Sequence, residues 1–411
     1  MAITLLNPKD NSWSAEVHRL RTLLGAPDNP HLFPPHFLEA TFPRIGGQIA
    51  VVEAGRRIVG VGFLFPRTLR AGAREFTLRF HQAHEHFEIG QTQLTTKLEE
   101  LLGNGRVVFY APQSEPYWEG TTHQIGDLDI GRPDSEEALA VRALQQQIWG
   151  SDPDSLYPAD LCSSDFRAGT ALVARLDRRP VGFLLGFYKF DGSQLPETWS
   201  QRYLVAYRLE SQVLGILREY RGRGIGTALK KVQAENARRE GIDIVNWTVD
   251  PLQYGNAILN FGRLRAIACD FYPNYYTFRN VLNQAPASRF GITWLVSSER
   301  VGRALSRVSR ATILDLRGNS TIRRVNAGWA ELHLEEDAQS IAIEIPASWT
   351  GLQKERLEEA LVWRHATDRL FQRYIGWKEG DYMVTGVGED GDRKYLIAER
   401  VDSALLESLA G

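Results

Sequence analysis

The sequence predicts an α/β chain with mixed sheets, an α+β arrangement in which strands alternate with helices. Three observations predict it. Runs rich in β-branched and aromatic residues recur, as at Gln48 to Ala54, Ile58 to Phe65 and Ile244 to Val249. Helical spacing separates such runs, as from Thr227 to Arg239. Between Tyr203 and Leu229 a strand feeds a glycine-rich loop and then a helix start.

In chain order, Trp13 to Leu24 has helical periodicity and a Pro-rich connection follows through Pro30, Pro34 and Pro35. Two strands then flank the turn Gly55-Arg56-Arg57. The same pair recurs: Ala50 to Phe65 set against Leu172 to Phe187 matches Val51 with Val173, Val59-Gly60 with Val181-Gly182 and Phe65 with Phe187, at an offset of 122. Self-similarity at this scale predicts a duplication. Further along, pairing Arg79 with Arg208 and Leu94 with Leu229 raises the offset from 129 to 135, which places six missing residues of the first copy in the loop before its helix. That loop, His84 to Gly90, keeps one glycine and carries Glu85 and Glu88, which repel anions. The spacing His81-x-x-His84-x-His86 fits neither a metalloprotease helix nor a zinc finger, and no metal is expected.

Ile125 to Ile130 reads as a strand, and Asp134 or Ser135 caps a helix running to Trp149. Strands at Ala171 to Arg175 and Val181 to Tyr188 follow. After the glycine loop come Ile244 to Val249, a helix from Asn256 to Ala268, an aromatic run with Tyr272, Tyr275 and Tyr276, and a strand at Gly291 to Val296. In the tail, Ile341, Ile343 and Ile345 alternate as one strand face, and Leu357, Leu361, Trp363, Leu370, Phe371 and Tyr374 stripe a helix. Asp390-Gly391 turns a hairpin between Tyr382 to Val387 and Arg393 to Arg400. The first copy lacks a closing helix and hairpin, so the tail from about Ser340 is expected to complete it; the alternative is packing on residues 124–297.

The loop itself has a physical reading. A helix N-terminus presents unpaired N–H groups and partial positive charge, so a glycine loop leading into one cradles an anion. Gly222, Gly224 and Gly226 allow close approach of the backbone, while Arg218, Arg221, Arg223 and Lys230 add charge. The spacing is neither the dinucleotide fingerprint nor a P-loop. Arg221-x-x-Gly224-x-Gly226 resembles the acyl-CoA signature of the GNAT superfamily of N-acyltransferases. The element order over about residues 124–297 follows that fold, so the chain looks like a tandem GNAT with a C-terminal α/β extension. Expected boundaries are 1–118 for a degenerate unit, 119–300 for the acyl-CoA-binding unit and 301–411 for the extension.

The resemblance implies acetyl-CoA as cosubstrate and an amine acceptor, a small molecule or a peptide. It implies that the backbone of Leu214, Gly215 and Ile216 polarises the thioester. The pyrophosphate would lie on Arg221, Gly222, Arg223, Gly224, Ile225, Gly226 and Thr227, with Asn256 and Asn260 orienting the cofactor arm. Glu210, eleven residues before Arg221, matches the general base of histone-acetyltransferase-like members, and partial burial is expected to raise its pKa. Phe261 stands where the family has a tyrosine acid, which leaves Tyr272 and Tyr275 as candidates. Phe261 and the decayed first copy also suit a non-catalytic CoA-binding sensor or scaffold.

The central unit and tail further resemble a group of predicted GNAT proteins of unassigned substrate, through Asp250-Pro251-Leu252, Pro273-Asn274-Tyr275-Tyr276, Ile343-Glu344-Ile345-Pro346 and Ala360 to Arg364. Two stretches depart from it: Glu210-Ser211-Gln212 replaces His-Ser-His, and Arg263-Leu264-Arg265 replaces Lys-Leu-Gly.

A formal charge of −2 over 411 residues leaves no nucleic-acid footprint. Cys162 and Cys269 alone cannot build a disulfide framework. Without a signal-like start or an apolar span, no membrane partner is expected and the expected location is cytoplasmic.

Overall fold

The first sheet pairs Ala2–Leu5 (β1), Gln48–Ala54 (β2), Arg57–Arg70 (β3), Ala73–Gln82 (β4) and Arg106–Tyr110 (β5) in that order. Trp13–Leu23 (α1) lies between β1 and β2, and Gln91–Leu101 (α2) carries the chain from β4 to a parallel β5. The computed structural model describes residues 2–84, 90–103, 105–276, 284–306 and 310–411. It divides into two units, Met1–Gly192 with Val205–Arg239, and Ser193–Leu204 with Glu240–Gly411.

The rest of the first unit repeats the pattern. His123–Ile125 (β6) and Leu128–Gly131 (β7) form a hairpin where one strand is expected, because Gly126 turns the chain at φ +65. Ser135–Trp149 (α3) starts at a full capping box: Asp134 accepts from the Glu137 N–H at 2.9 Å, and Glu137 accepts from the Asp134 N–H at 3.1 Å. Gly169–Leu176 (β8), Arg179–Phe190 (β9) and Tyr207–Ile216 (β10) follow, giving the order β10-β9-β8-β7-β6, and Ile225–Arg239 (α4) closes the unit.

Register shows how far the two halves correspond. Ala50 pairs with Gly62 and Val51 with Val61; 122 residues on, Leu172 pairs with Leu184 and Val173 with Phe183. On the next strand Phe63 pairs with Arg79 and its mate Leu185 with Val213, so Arg79 corresponds to Val213 and not to Arg208. The length difference also moves. Gln82 to Gln91 and Ile216 to Ile225 are the same nine positions apart, so the first copy loses glycines before its helix but no residues there. Residues 85–89 of that stretch, and with them His86, Glu85 and Glu88, lie outside the described residues. The shortening is at the β3–β4 hairpin, where Ala71 and Gly72 turn the chain at positive φ, against the long Phe190-to-Tyr207 connection.

Burial of aromatic rings joins the halves. Phe65 stacks on Phe187, its repeat mate, with centroids 6.1 Å apart, and Phe37 lies 4.6 Å from Phe187. Arg79, fully buried, reaches Asp160 in a bidentate pair to which Tyr110 also donates at 2.8 Å. On the opposite face of the second sheet, Ile225, Leu229 and Val232 of α4 pack on Leu172, Val181 and Leu184.

In the second unit, Ile244–Val249 (β11), Ile267–Tyr276 (β12), Ala287–Leu295 (β13), Ser340–Ile345 (β14), Tyr382–Asp390 (β15) and Arg393–Arg400 (β16) pair antiparallel in the order β14-β16-β15-β12-β13-β11. The helix expected over Asn256 to Ala268 ends at Arg263, and Ile267 already belongs to β12. β14 is buried on both faces, since Ala342 packs on Leu316, Tyr395 and Ile397 while Ile341, Ile343 and Ile345 are also covered.

The tail does not complete the first copy. Phe371 of the helix Leu357–Tyr374 (α5) sits 5.3 Å from Phe271 and 4.7 Å from Phe290, and Leu370 is fully buried. Arg364, also on α5, pairs with Asp250 at 2.7 Å, and Trp349 donates to the same carboxylate at 2.9 Å. Two of the sequence groups shared with the unassigned GNAT proteins therefore meet in one buried ion pair.

Candidate active site

The candidate site grows out of β10. Its ladder with β9 shifts register between Ser211 and Val213, so Gln212 is the extra residue of a β-bulge, a device that bends a strand and re-aims its side chains. Leu214, Gly215 and Ile216 follow, still paired with β9. Gly215 is required by packing, since a Cβ there would come within 2.7 Å of the Phe183 ring.

The cradle lies between Ile216 and α4. Gly222 and Gly224 adopt φ of +80 and +82, a region that favours glycine, and a Cβ on either would meet no protein atom within 4 Å. The glycines thus serve backbone shape, and they leave the loop surface open. The Ala228 N–H donates to Gly224 O at 3.0 Å, so the N–H groups of Ile225, Gly226 and Thr227 stand at the open end of the helix. No acidic residue occupies that first turn, although helices favour one there. Arg218, Arg221 and Arg223 are exposed around it, and Arg221 is steered by its bond to Ile216 O at 3.2 Å. These residues fit a pyrophosphate.

Lys230 does not belong to that charge set. It is 3% exposed and donates to Ser211 Oγ at 2.8 Å and to Gln233 Oε1 at 3.3 Å. Burial pushes its pKa down to about 7, against the opposing pull of Glu210.

Glu210 is on the bulged strand as expected, but its electrostatics are reversed. It is 2% exposed and accepts from Arg44 at 2.6 Å and Lys189 at 2.9 Å. Burial alone would raise its pKa; Lys189 and then Arg44 outweigh it and hold the carboxyl below the usual range. Sequence reasoning missed both cations, and Arg44 stands 166 positions away with no local signal. Gln212 also holds a partner, donating to Tyr157 OH at 3.1 Å. The departure from His-Ser-His at Glu210-Ser211-Gln212 was the one available clue.

Asn256, Asn260, Tyr272 and Tyr275 belong to the second unit. Asn256 is exposed and Asn260 is 3% exposed, with its carbonyl accepting from the Ala266 N–H at 2.8 Å. Phe261 is buried beside it in a π-helical turn, Ile258–Arg263. Tyr272 and Tyr275 are part-buried, 5.7 Å apart, where the β12–β13 ladder is interrupted.

Residues 138–258 match the model of the acetyltransferase (GNAT) family, a span that includes α3, the bulged strand and the cradle. This chain carries a GNAT domain. It is 29% identical over 126 residues to an L-2,4-diaminobutyric acid acetyltransferase of Streptomyces coelicolor, covering 30% of this chain and 66% of that protein. An enzyme of the same name from Nocardia farcinica is 25% identical over 137 residues, with 33% and 63% covered. The chain thus spans a little under two thirds of the length of these curated relatives. Among solved structures, Arabidopsis thaliana Naa50 in complex with a bisubstrate analogue is similar at 16% identity, with 41% of this chain and 97% of that one covered and a TM-score of 0.31. Ard1 from Thermoplasma volcanium is similar at 15% identity, with 41% and 96% covered and a TM-score of 0.30. Among the described residues no helix is long and apolar enough to cross a membrane.

Proposed function

We propose that the GNAT domain is an N-acetyltransferase that moves the acetyl group of acetyl-CoA to a primary amine of a small molecule or a peptide by direct attack. The observation that carries this reading is the bulged strand running into a glycine–arginine cradle at an open helix N-terminus. The family match and the acetyltransferase names of the relatives support it.

Bound acetyl-CoA would supply a thioester whose carbonyl carbon accepts the amine. In this proposal the backbone of Leu214 to Ile216 donates to the carbonyl oxygen, the group on which negative charge develops. Residues 221 to 227 hold the pyrophosphate, so the reacting end is placed by contacts remote from it. The nitrogen–carbon bond forms, the carbon–sulfur bond breaks, and the thiolate takes up a proton. With two cations on its carboxylate, Glu210 is a weak proton acceptor, and the amine proton is proposed to leave through water.

The test is a panel of amines, amino-acid side-chain amines and peptide N-termini included, incubated with acetyl-CoA and the full chain. Release of free thiol that depends on one class of amine is expected. Thiol release no faster with any amine than without would contradict the reading.

A further inference from the structure

We propose that Arg44, which the N-terminal repeat contributes, is a positioning residue for acyl transfer, acting through Glu210 on the bulged strand. The inference rests on the acetyltransferase reading, but one arm of its test does not.

A bulge leaves a residue outside the ladder, so side chains must hold what backbone pairing does not. Gln212, the residue left out, and the ladder-paired Glu210 and Ser211 before it are each bonded through the side chain to another element. Glu210 is held by Arg44 and by Lys189 of β9, Ser211 by Lys230 of α4, and Gln212 by Tyr157 on the connection between α3 and β8. Leu214 to Ile216, the proposed carbonyl donors, come next on the same strand. Displacement there by about 1 Å is the scale that costs about 10²-fold in rate.

Arg44 is the tether that burial alone does not explain. Lys189, at 2.9 Å and itself buried, already balances the Glu210 carboxylate. A second cation, one quarter exposed, adds net positive charge beside a buried carboxylate that is already balanced, which is costly. Arg208, which Lys189 feels, faces the cluster too and adds to that excess, as does Lys230 below about pH 7, where it is protonated. Arg44 is also fixed at its base: its neighbours Phe42 and Ile45 are fully buried, and Ile45 O accepts from the Phe190 N–H at the end of β9 at 3.0 Å. A rigidly mounted guanidinium reaching from one repeat to the bulge of the other suits positioning, since an Arg fork loses little freedom per bond formed.

The experiment compares Arg44→Gln, Arg44→Lys, Glu210→Gln and the Arg44→Gln/Glu210→Gln pair in the full chain. Thiol release with the amine found above gives kcat and the KM for acetyl-CoA, and amide hydrogen exchange of the peptide spanning 207–217 reads the strand directly. Arg44→Gln is expected to lower kcat about tenfold with KM within about twofold, and to raise exchange in that peptide. Arg44→Lys should recover most of both, and the double variant should be no worse than Glu210→Gln. Wild-type kcat and exchange in Arg44→Gln would overturn the proposal. So would a loss beyond about 10²-fold in Glu210→Gln beside an unimpaired Arg44→Gln, which would make Glu210 the proton acceptor. If no amine is turned over, the acetyltransferase reading fails while exchange still decides the tether: unchanged exchange overturns it. If Arg44→Gln does not fold, Glu210→Gln breaks the same contact, and unchanged exchange there overturns it equally.

Discussion

Lys230 titrates where a lysine ordinarily does not, and stability should record it. Its pKa is about 7 in the fold against 10.5 for the free side chain. Between those values the unfolded chain holds a proton that the native state does not, so stability rises with pH across that window. The cost of burying the protonated amine is complete below about pH 7 and is relieved as pH rises toward 10.5. Lys230→Met should therefore gain more stability relative to the parent at pH 6 than at pH 9.5, in urea unfolding at both. Equal gains would show that the amine is not titrating in the core. Residues of this kind were the least legible. Lys230 follows a glycine loop and reads as cradle charge, yet helical spacing turns it inward to Ser211. Glu210 was found from its distance to Arg221, but the sign of its shift depends on Arg44 and Lys189, which no local pattern joins to it.

Elements were legible where periodicity and punctuation agreed. The helix Leu357–Tyr374 shows its apolar stripe in the sequence, and Asp134, one of the two cap candidates, announces α3. Missed features depend on backbone conformation or tertiary pairing: the turn at Gly126, and the entry of Ile267 and Ala268 into β12, where they pair with Thr293 and Ile292. The packing of α5 was not readable, because an amphipathic stripe says that a face is buried without saying on what. Its contacts with Phe271 and Phe290 yield a prediction. Phe371→Ala should cost about 3–5 kcal/mol in denaturant unfolding of the second unit. A cost under about 1 kcal/mol would mean that the tail does not share that core. Removing Arg364 from Asp250 by Arg364→Met should cost about 3 kcal/mol, because it leaves a largely buried carboxylate with weaker partners; an unchanged midpoint would contradict this.

At the scale of the molecule, the repeat was visible at one offset in one hairpin, and the register carries it further. Thr77 and Glu210 pair with Phe65 and Phe187, which stack on each other. We propose a duplication in which the second copy kept the glycine–arginine loop proposed to bind the cosubstrate and the first kept the same strand-to-helix length with a single glycine, Gly90. The offset moves from 122 at Phe65 and Phe187 to 133 at Thr77 and Glu210, because β3 and β4 are joined by two residues and β9 and β10 by a connection that includes the helix Glu197–Arg202. The central claim is that one cradle, on the second copy, binds the cosubstrate. Calorimetric titration of acetyl-CoA into the full chain and into Gly224→Glu tests it most directly, because Glu at φ +82 is strained and brings negative charge to the proposed pyrophosphate position. One site per chain, lost in the variant, is the predicted result; unchanged affinity in Gly224→Glu, or two sites per chain, would contradict it.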